Sequence, residues 1–223
     1  MEAVKNSDAV LFAFPPEKIN EVLGETEMRQ VLRHKTIISI LARTRRDDIA
    51  QIIQGQKSLP TSPSDDLRIV RAMPTMGTEV RESATLIANP SNPLEREAIE
   101  LGAWIFNSVG KVFHVTSDYF DAATGMSAFS NALTTIAVRT IAQQAVAEGV
   151  PREHAIAIAS QCIRGMVSLM LSGTSPEKLQ WSLSAPGSIT GQAISRLQDG
   201  HLPEILEKSA SAAIARAKEY ERD

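Results

Sequence analysis

The 223-residue chain can bury one large core or two small ones, and its 43% hydrophobic and 22% charged residues exclude wholesale disorder. A net charge of −3 offers no concentrated basic face of the kind nucleic-acid binding needs. One cysteine excludes an internal disulfide, four scattered histidines lack metal-ligand spacing, and neither a leader peptide nor a bilayer-length apolar run is read. The composition implies a metal-free cytoplasmic protein with no nucleic-acid or membrane partner.

The first half alternates strands and helices. Ala9–Phe14 is an unbroken apolar run stopped by Pro15-Pro16, as in a buried parallel strand. Ile19, Val22, Leu23, Val31 and Leu32 follow at helical spacing. Thr36–Leu41 reads as a second strand, Asp47–Ile53 as a helix, and Leu59–Asp66 as a Pro-, Ser- and Asp-rich loop. Arg43, Arg45 and Arg46 form the one tight basic cluster, either a solvated helix start or a phosphate contact. Arg68–Arg71, Thr85–Ala88 and Lys111–Val115 read as three more strands, with a helix between Leu94 and Phe106. This is the βαβ rhythm of a doubly wound sheet.

After Thr116 the rhythm stops. Ser117-Asp118 reads as the N-cap of a long helix ending at Glu148, with Gly149 just past its end. Pro151 starts another helix at its first position, and Gly173 ends it. Cys162 lies in an apolar-periodic run and is expected in the core. Further helices are expected near Pro176–Leu183, at Ile189–Gln198 and from Pro203 to about Tyr220. The fold class is therefore α/β then all-α, with residues 1–116 as a partial α/β domain and 117–223 as a helical one. Ile136, Val138, Ile141, Val146, Ile156, Ile158, Ile163, Val167 and Leu169 put apolar side chains on too many faces for an isolated bundle. Self-association is expected.

Four stretches carry functional information. Val70-Arg71-Ala72-Met73-Pro74, Val80–Thr85, Asp121-Ala-Ala-Thr-Gly-Met-Ser127 and Ser184-Ala-Pro-Gly-Ser-Ile-Thr190 fall in the order and spacing of one family. The last is a small, hydroxyl-rich turn between two helical patterns, where free backbone N–H groups and a positive helix end can hold a carboxylate or phosphate. The chain resembles pyrroline-5-carboxylate reductase, with Gly149–Glu153 matching a helix break of that family.

The resemblance implies a partial Rossmann-type parallel sheet followed by a helical dimerisation domain, working as a homodimer or higher homo-oligomer. It implies reduction of a small cyclic imino acid by NADPH or NADH, giving proline or, from a six-membered ring, pipecolate. Thr190 would be the catalytic residue. Gly187, Ser188, Thr190 and Ser127 would bind substrate, and Phe14, Pro15, Ala42, Met73, Pro74 and Thr75 would line the cofactor. Thr190 orients the imine, or else caps its own helix.

Departures from the family pattern accompany the likeness. Ser127-Ala-Phe129-Ser-Asn131 stands where glycines are expected, and Phe129 points either into the core or into the pocket. Phe14-Pro15-Pro16 lacks the family's lysine, and Arg43 replaces a glycine. Gln180-Trp181 replaces a Lys-Asp pair, and Ala185 a serine. Such drift suits a paralogue of specialised metabolism. No G-x-G-x-x-G occurs, and no glycine precedes Gly24, so the chain is expected to begin ahead of the family's fourth strand. It would be either a fragment of a longer protein or a truncated one, with Ala9–Phe14 at an open sheet edge. Weak NADPH binding and little or no imine reduction are expected of the chain as given. The alternatives to a reductase are a non-redox descendant that binds or cyclises a small molecule, and an inactive dimerising subunit.

Overall fold

A computed structural model describes residues 1–55, 67–90 and 93–219. The loop expected at Leu59–Asp66 lies outside the described residues.

Five strands form one sheet in the order β1 (Ala9–Phe12), β2 (Thr36–Ser39), β3 (Arg68–Met73), β4 (Ser83–Ala88) and β5 (Gly110–Val115). β1, β2 and β3 run parallel, with Ala9 opposite Thr36 and Thr36 opposite Arg68. The sheet is parallel as expected at three of its four pairings, and one pairing reverses. β4 runs antiparallel to β3, with Ala72 opposite Ile87, and β5 is parallel to β4. A parallel return needs a crossover of a dozen residues or more. The stretch 74–82 is shorter and holds only a 3-10 turn, Met76–Val80.

Helices cover both faces. α1 (Glu2–Lys5) precedes β1. One helix was expected between β1 and β2, but there are two, α2 (Ile19–Leu23) and α3 (Thr26–Leu32), after a 3-10 turn at Pro16–Lys18. α4 (Arg46–Gln54) joins β2 to β3. Leu23, Leu32, Ile49 and Ile53 pack with Phe12, Ile37 and Ile69 in one core. Strand side chains alternate, so Ile38, Val70 and Ile87 face the other side. There they meet Ala98, Ile99 and Phe106 of α5 (Glu95–Asn107). Leu86 returns to the first side and packs on Phe120, at the start of α6 (Ser117–Ala147), and on Val115.

The remaining helices are α7 (Arg152–Leu171), α8 (Pro176–Leu183), α9 (Ile189–Asp199) and α10 (Leu202–Lys218). Pro151 is the N-cap of α7 rather than its first residue. α6 begins at Ser117 itself. Packing separates two compact units, residues 1–128 with the chain from Ala213 onward, and Phe129–Ala212. In the first, Gly125 of α6 admits α10 so closely that a Cβ would lie 2.6 Å from Ile214 Cα. In the second, α7 buries only Ala155 and Ala159. Cys162 is exposed, contrary to expectation, because it stands on a stretch of α7 that none of the described residues covers. By length and composition α7 could cross a membrane, with mean hydropathy 1.3 and only 11% of the window buried. The expectation that no apolar run reaches that length is corrected by this helix.

Candidate functional site

The carboxyl ends of the parallel strands β1, β2 and β3 lie along one edge of the sheet, and every expected cofactor residue lies at or just after one of them. Phe14 comes two residues after β1, half-buried, its ring 5.5 Å from that of Phe12. Pro15 is exposed and opens the first 3-10 turn. Ala42 is exposed in the turn after β2. Met73 ends β3 and packs against the Leu86–Phe120 cluster, with Pro74 half-buried behind it.

Thr75 has a structural role. Its N–H donates to Ser83 Oγ at 3.1 Å, and its own Oγ1 accepts the Ala84 N–H at 3.1 Å. Ser83 Oγ also lies 3.0 Å from Thr85 Oγ1. Thr75 thus ties the reversing turn to the first residues of β4.

The basic cluster divides by position. Arg46 is largely buried, its side chain 12% exposed, and pairs with Glu95, whose side chain is 2% exposed. Arg45 N–H donates to Asp48 Oδ2 at 2.9 Å in the first turn of α4. Arg43 lies in the turn after β2 with φ 55°, beside a polar cavity of about 260 Å³ that Asn20, Thr44 and Gln51 also line. A second cavity of about 250 Å³ holds the Arg46–Glu95 pair and a further one, Arg71 to Asp121 at 3.2 Å. The Arg71 guanidinium stands 4.4 Å over the Phe120 ring. Two of the sequence motifs therefore meet through one ion pair. Among the described residues no cluster of His, Cys, Asp and Glu could hold a metal.

The turn Ser184–Thr190 lies in the second unit, between α8 and α9. Gly187 takes φ 76°, a left-handed conformation that β-carbon crowding discourages elsewhere. Ser188 is the N-cap of α9, its Oγ accepting the Gly191 N–H at 2.9 Å and donating to Ala185 O at 2.7 Å. Thr190 is not the cap. Its Oγ1 donates back across the turn to Leu183 O at 2.6 Å. The amides of Ile189 and Thr190 fall in the first turn of α9, where a helix has no acceptors of its own.

Ser127 belongs to the first unit, and its hydroxyl donates to Thr124 O at 2.9 Å within α6. Phe129 is half-buried. The expected residues thus form two groups, one along the strand ends and one in the turn before α9, with Ser127 by itself in α6. The Arg46–Glu95 pair and the Leu183 carbonyl were not expected. No local pattern links residues 49 apart, and the turn's seven-residue bond depends on how Gly187 bends the chain.

The chain is similar to known proteins. The family described as pyrroline-5-carboxylate reductase dimerisation matches residues 117–220. The family described as NADP oxidoreductase, coenzyme F420-dependent, matches residues 1–43. The pyrroline-5-carboxylate reductase of Lophium arboricola is 30% identical over 217 residues, covering 97% of this chain and 68% of that protein. The Arabidopsis thaliana enzyme of the same name is 29% identical, covering 98% and 75%. The Coxiella burnetii structure of that name superposes with TM-score 0.81 at 26% identity, over 100% of this chain and 79% of that one. A Plasmodium falciparum pyrroline carboxylate reductase with NADP bound gives 0.84 at 21% identity, covering 97% and 78%, a likeness of fold.

Proposed function

Since the chain belongs to the pyrroline-5-carboxylate reductase family, we propose that it reduces the C=N bond of a small cyclic imino acid with NAD(P)H. The observation that carries this reading is the capped turn Ser184–Thr190. It sets unspent backbone N–H groups beside a side-chain hydroxyl, the pattern that a carboxylate next to a ring nitrogen requires.

The residues present fit the nicotinamide half of such a cofactor. Ligands of doubly wound sheets bind outside the carboxyl ends of the strands, and three consecutive parallel ends are here together. Ala42 is exposed and has nothing beyond its Cβ, so the backbone there is open to close approach. Phe14, Pro15, Ala42, Met73 and Pro74 would line the nicotinamide. Thr75, with its hydroxyl held by the Ala84 amide, would contribute backbone and methyl only. Bound there, a reduced nicotinamide supplies hydride to the imine carbon.

The amides of Ile189 and Thr190, with Gly187 leaving the approach clear, would hold the substrate carboxylate. Thr190 Oγ1 would orient the ring nitrogen, and Ser127, by the family resemblance, would be a further substrate-binding residue. A threonine hydroxyl titrates far from neutrality, so positioning rather than proton transfer is its role.

A homodimer or larger assembly would form through the helical region. Ile136, Ile141, Ile156, Ile158, Val167 and Leu169 are all exposed in the single chain, within the stretch matched by the dimerisation family. The drift at Phe129, Arg43 and Trp181 supports a substrate other than the housekeeping one, in specialised metabolism.

The test is consumption of NADPH and of NADH with Δ1-pyrroline-5-carboxylate and with the six-membered imine that gives pipecolate. Consumption with at least one ring size is the result this reading requires, in place of the little or no reduction expected from the sequence. Cofactor binding seen by fluorescence, with no consumption of either imine, would overturn the reading.

A further inference from the structure

Buried hydroxyls meet where β3 gives way to the reversing turn. Ser83 is 3% exposed and Thr85 0%, and their oxygens stand 3.0 Å apart. Burying a hydroxyl costs free energy unless it is hydrogen-bonded. Ser83 Oγ is bonded on its other side as well, accepting the Thr75 N–H at 3.1 Å. Thr85 thus steadies Ser83, and Ser83 steadies the Thr75 amide.

The consequence falls on the peptide group ahead of Thr75. That peptide is trans, so the Pro74 C=O points opposite to the Thr75 N–H. Thr75 extends the antiparallel pairing in which Met73 faces Leu86, and its N–H is spent on the β4 side. The Pro74 carbonyl therefore points to the β2 side, where the carboxyl ends of the parallel strands lie. Among the described residues nothing donates to that oxygen, and Pro74 is half-buried. A fixed acceptor without a partner stands at the edge where ligands of such sheets bind.

Resting on the function proposed above, we propose that Ser83 is a positioning residue for the cofactor. By holding the Thr75 N–H it aims the Pro74 carbonyl at the carboxamide of the nicotinamide, whose NH2 group donates to it. The carboxamide carries the only N–H donors on a reduced nicotinamide ring, so a carbonyl there selects that group and sets how the ring is turned. An acceptor already fixed in place lowers the ordering cost of binding. Without the Ser83 hydroxyl the Pro74–Thr75 peptide is free to rotate, and the carbonyl loses its aim.

Two measurements on the full chain test this. Amide hydrogen exchange reads the clamp itself. Ser83→Ala should speed exchange of the Thr75 N–H about tenfold, while the amides of Ile37 and Ile38 in β2 keep their rates and show the sheet intact. An unchanged Thr75 rate overturns the inference. Ligand-detected NMR then compares NADPH and NADH with their reduced 3-acetylpyridine analogues, in which a methyl group replaces the amide nitrogen. The unaltered protein should hold the carboxamide form about fivefold more tightly, the value of one neutral hydrogen bond. Ser83→Ala should bring that ratio near one, a change that loss of stability alone does not produce. Equal binding by the unaltered protein, which needs no variant, or a ratio that survives Ser83→Ala, overturns the inference and leaves the proposed function standing. Failure of all four dinucleotides to bind overturns both.

Discussion

Ser188 and Thr190 sit two residues apart and should fail differently. Ser188→Ala removes the N-cap of α9 and should cost about 0.5–2 kcal/mol of stability in urea denaturation. Thr190→Ala loses one hydrogen bond to Leu183, worth about 1 kcal/mol. Its larger effect should be on turnover, cut tens- to hundreds-fold, on the order of 2–3 kcal/mol of barrier. Turnover per folded molecule that is unchanged in Thr190→Ala would leave only the stapling role. The hydroxyls were legible in the sequence as residue types in a turn, but their hydrogen-bond directions were not. Those directions follow from Gly187's left-handed backbone, which brings residue 190 back over residue 183. The Arg46–Glu95 pair was equally hidden. Glu95→Ala should destabilise by about 3–5 kcal/mol, because it strands a largely buried guanidinium. Replacing both residues with methionine should restore much of that loss.

At the scale of elements, most of the chain was readable because periodicity and end signals agree. α8 runs Pro176–Leu183 as expected, and α9 starts at Ile189. Two features escaped. Helical spacing persists through Gly24-Glu25, yet the chain breaks there into α2 and α3. The reversal of β4 left no mark on composition, because antiparallel and parallel strands buried on both faces are equally apolar. Only the shortness of 74–82 betrays it. Close approach makes a sharper test, since Gly125 faces Ile214 with no room for a methyl group. Gly125→Ala should lower stability by about 1–3 kcal/mol, read as a fall in Tm, as α6 and α10 are forced apart. A weaker surface contact also joins elements. Lys5 beside Glu27 holds that carboxyl below its ordinary range. The contact supports the fold above the usual glutamate pKa, and the support disappears as pH falls through the lowered value. Exposure on both sides keeps it small.

For the whole molecule the leading expectation concerns mass. At micromolar concentration, light scattering should give a dimer or larger. Ile158→Glu combined with Leu169→Glu should lower it to a single chain, by setting charges among side chains that are 59% and 46% exposed in the isolated protein. A monomer mass for the unaltered protein would remove the proposed assembly. The apolar surplus of this half was legible in the sequence, whereas its distribution was not. Cys162 shows why, because a residue on an apolar stripe is buried only if something covers the stripe.

The pairing of Gly125 with Ile214 also orders events in time. Residues from Ala213 onward belong to the same compact unit as the sheet, although the whole of Phe129–Ala212 is translated between them. A ribosome-bound chain therefore holds the Gly125 side of α6 bare until residue 214 has emerged. Residues 1–128 of the sheet unit are synthesised before residues 129–212, yet the unit is completed only after them.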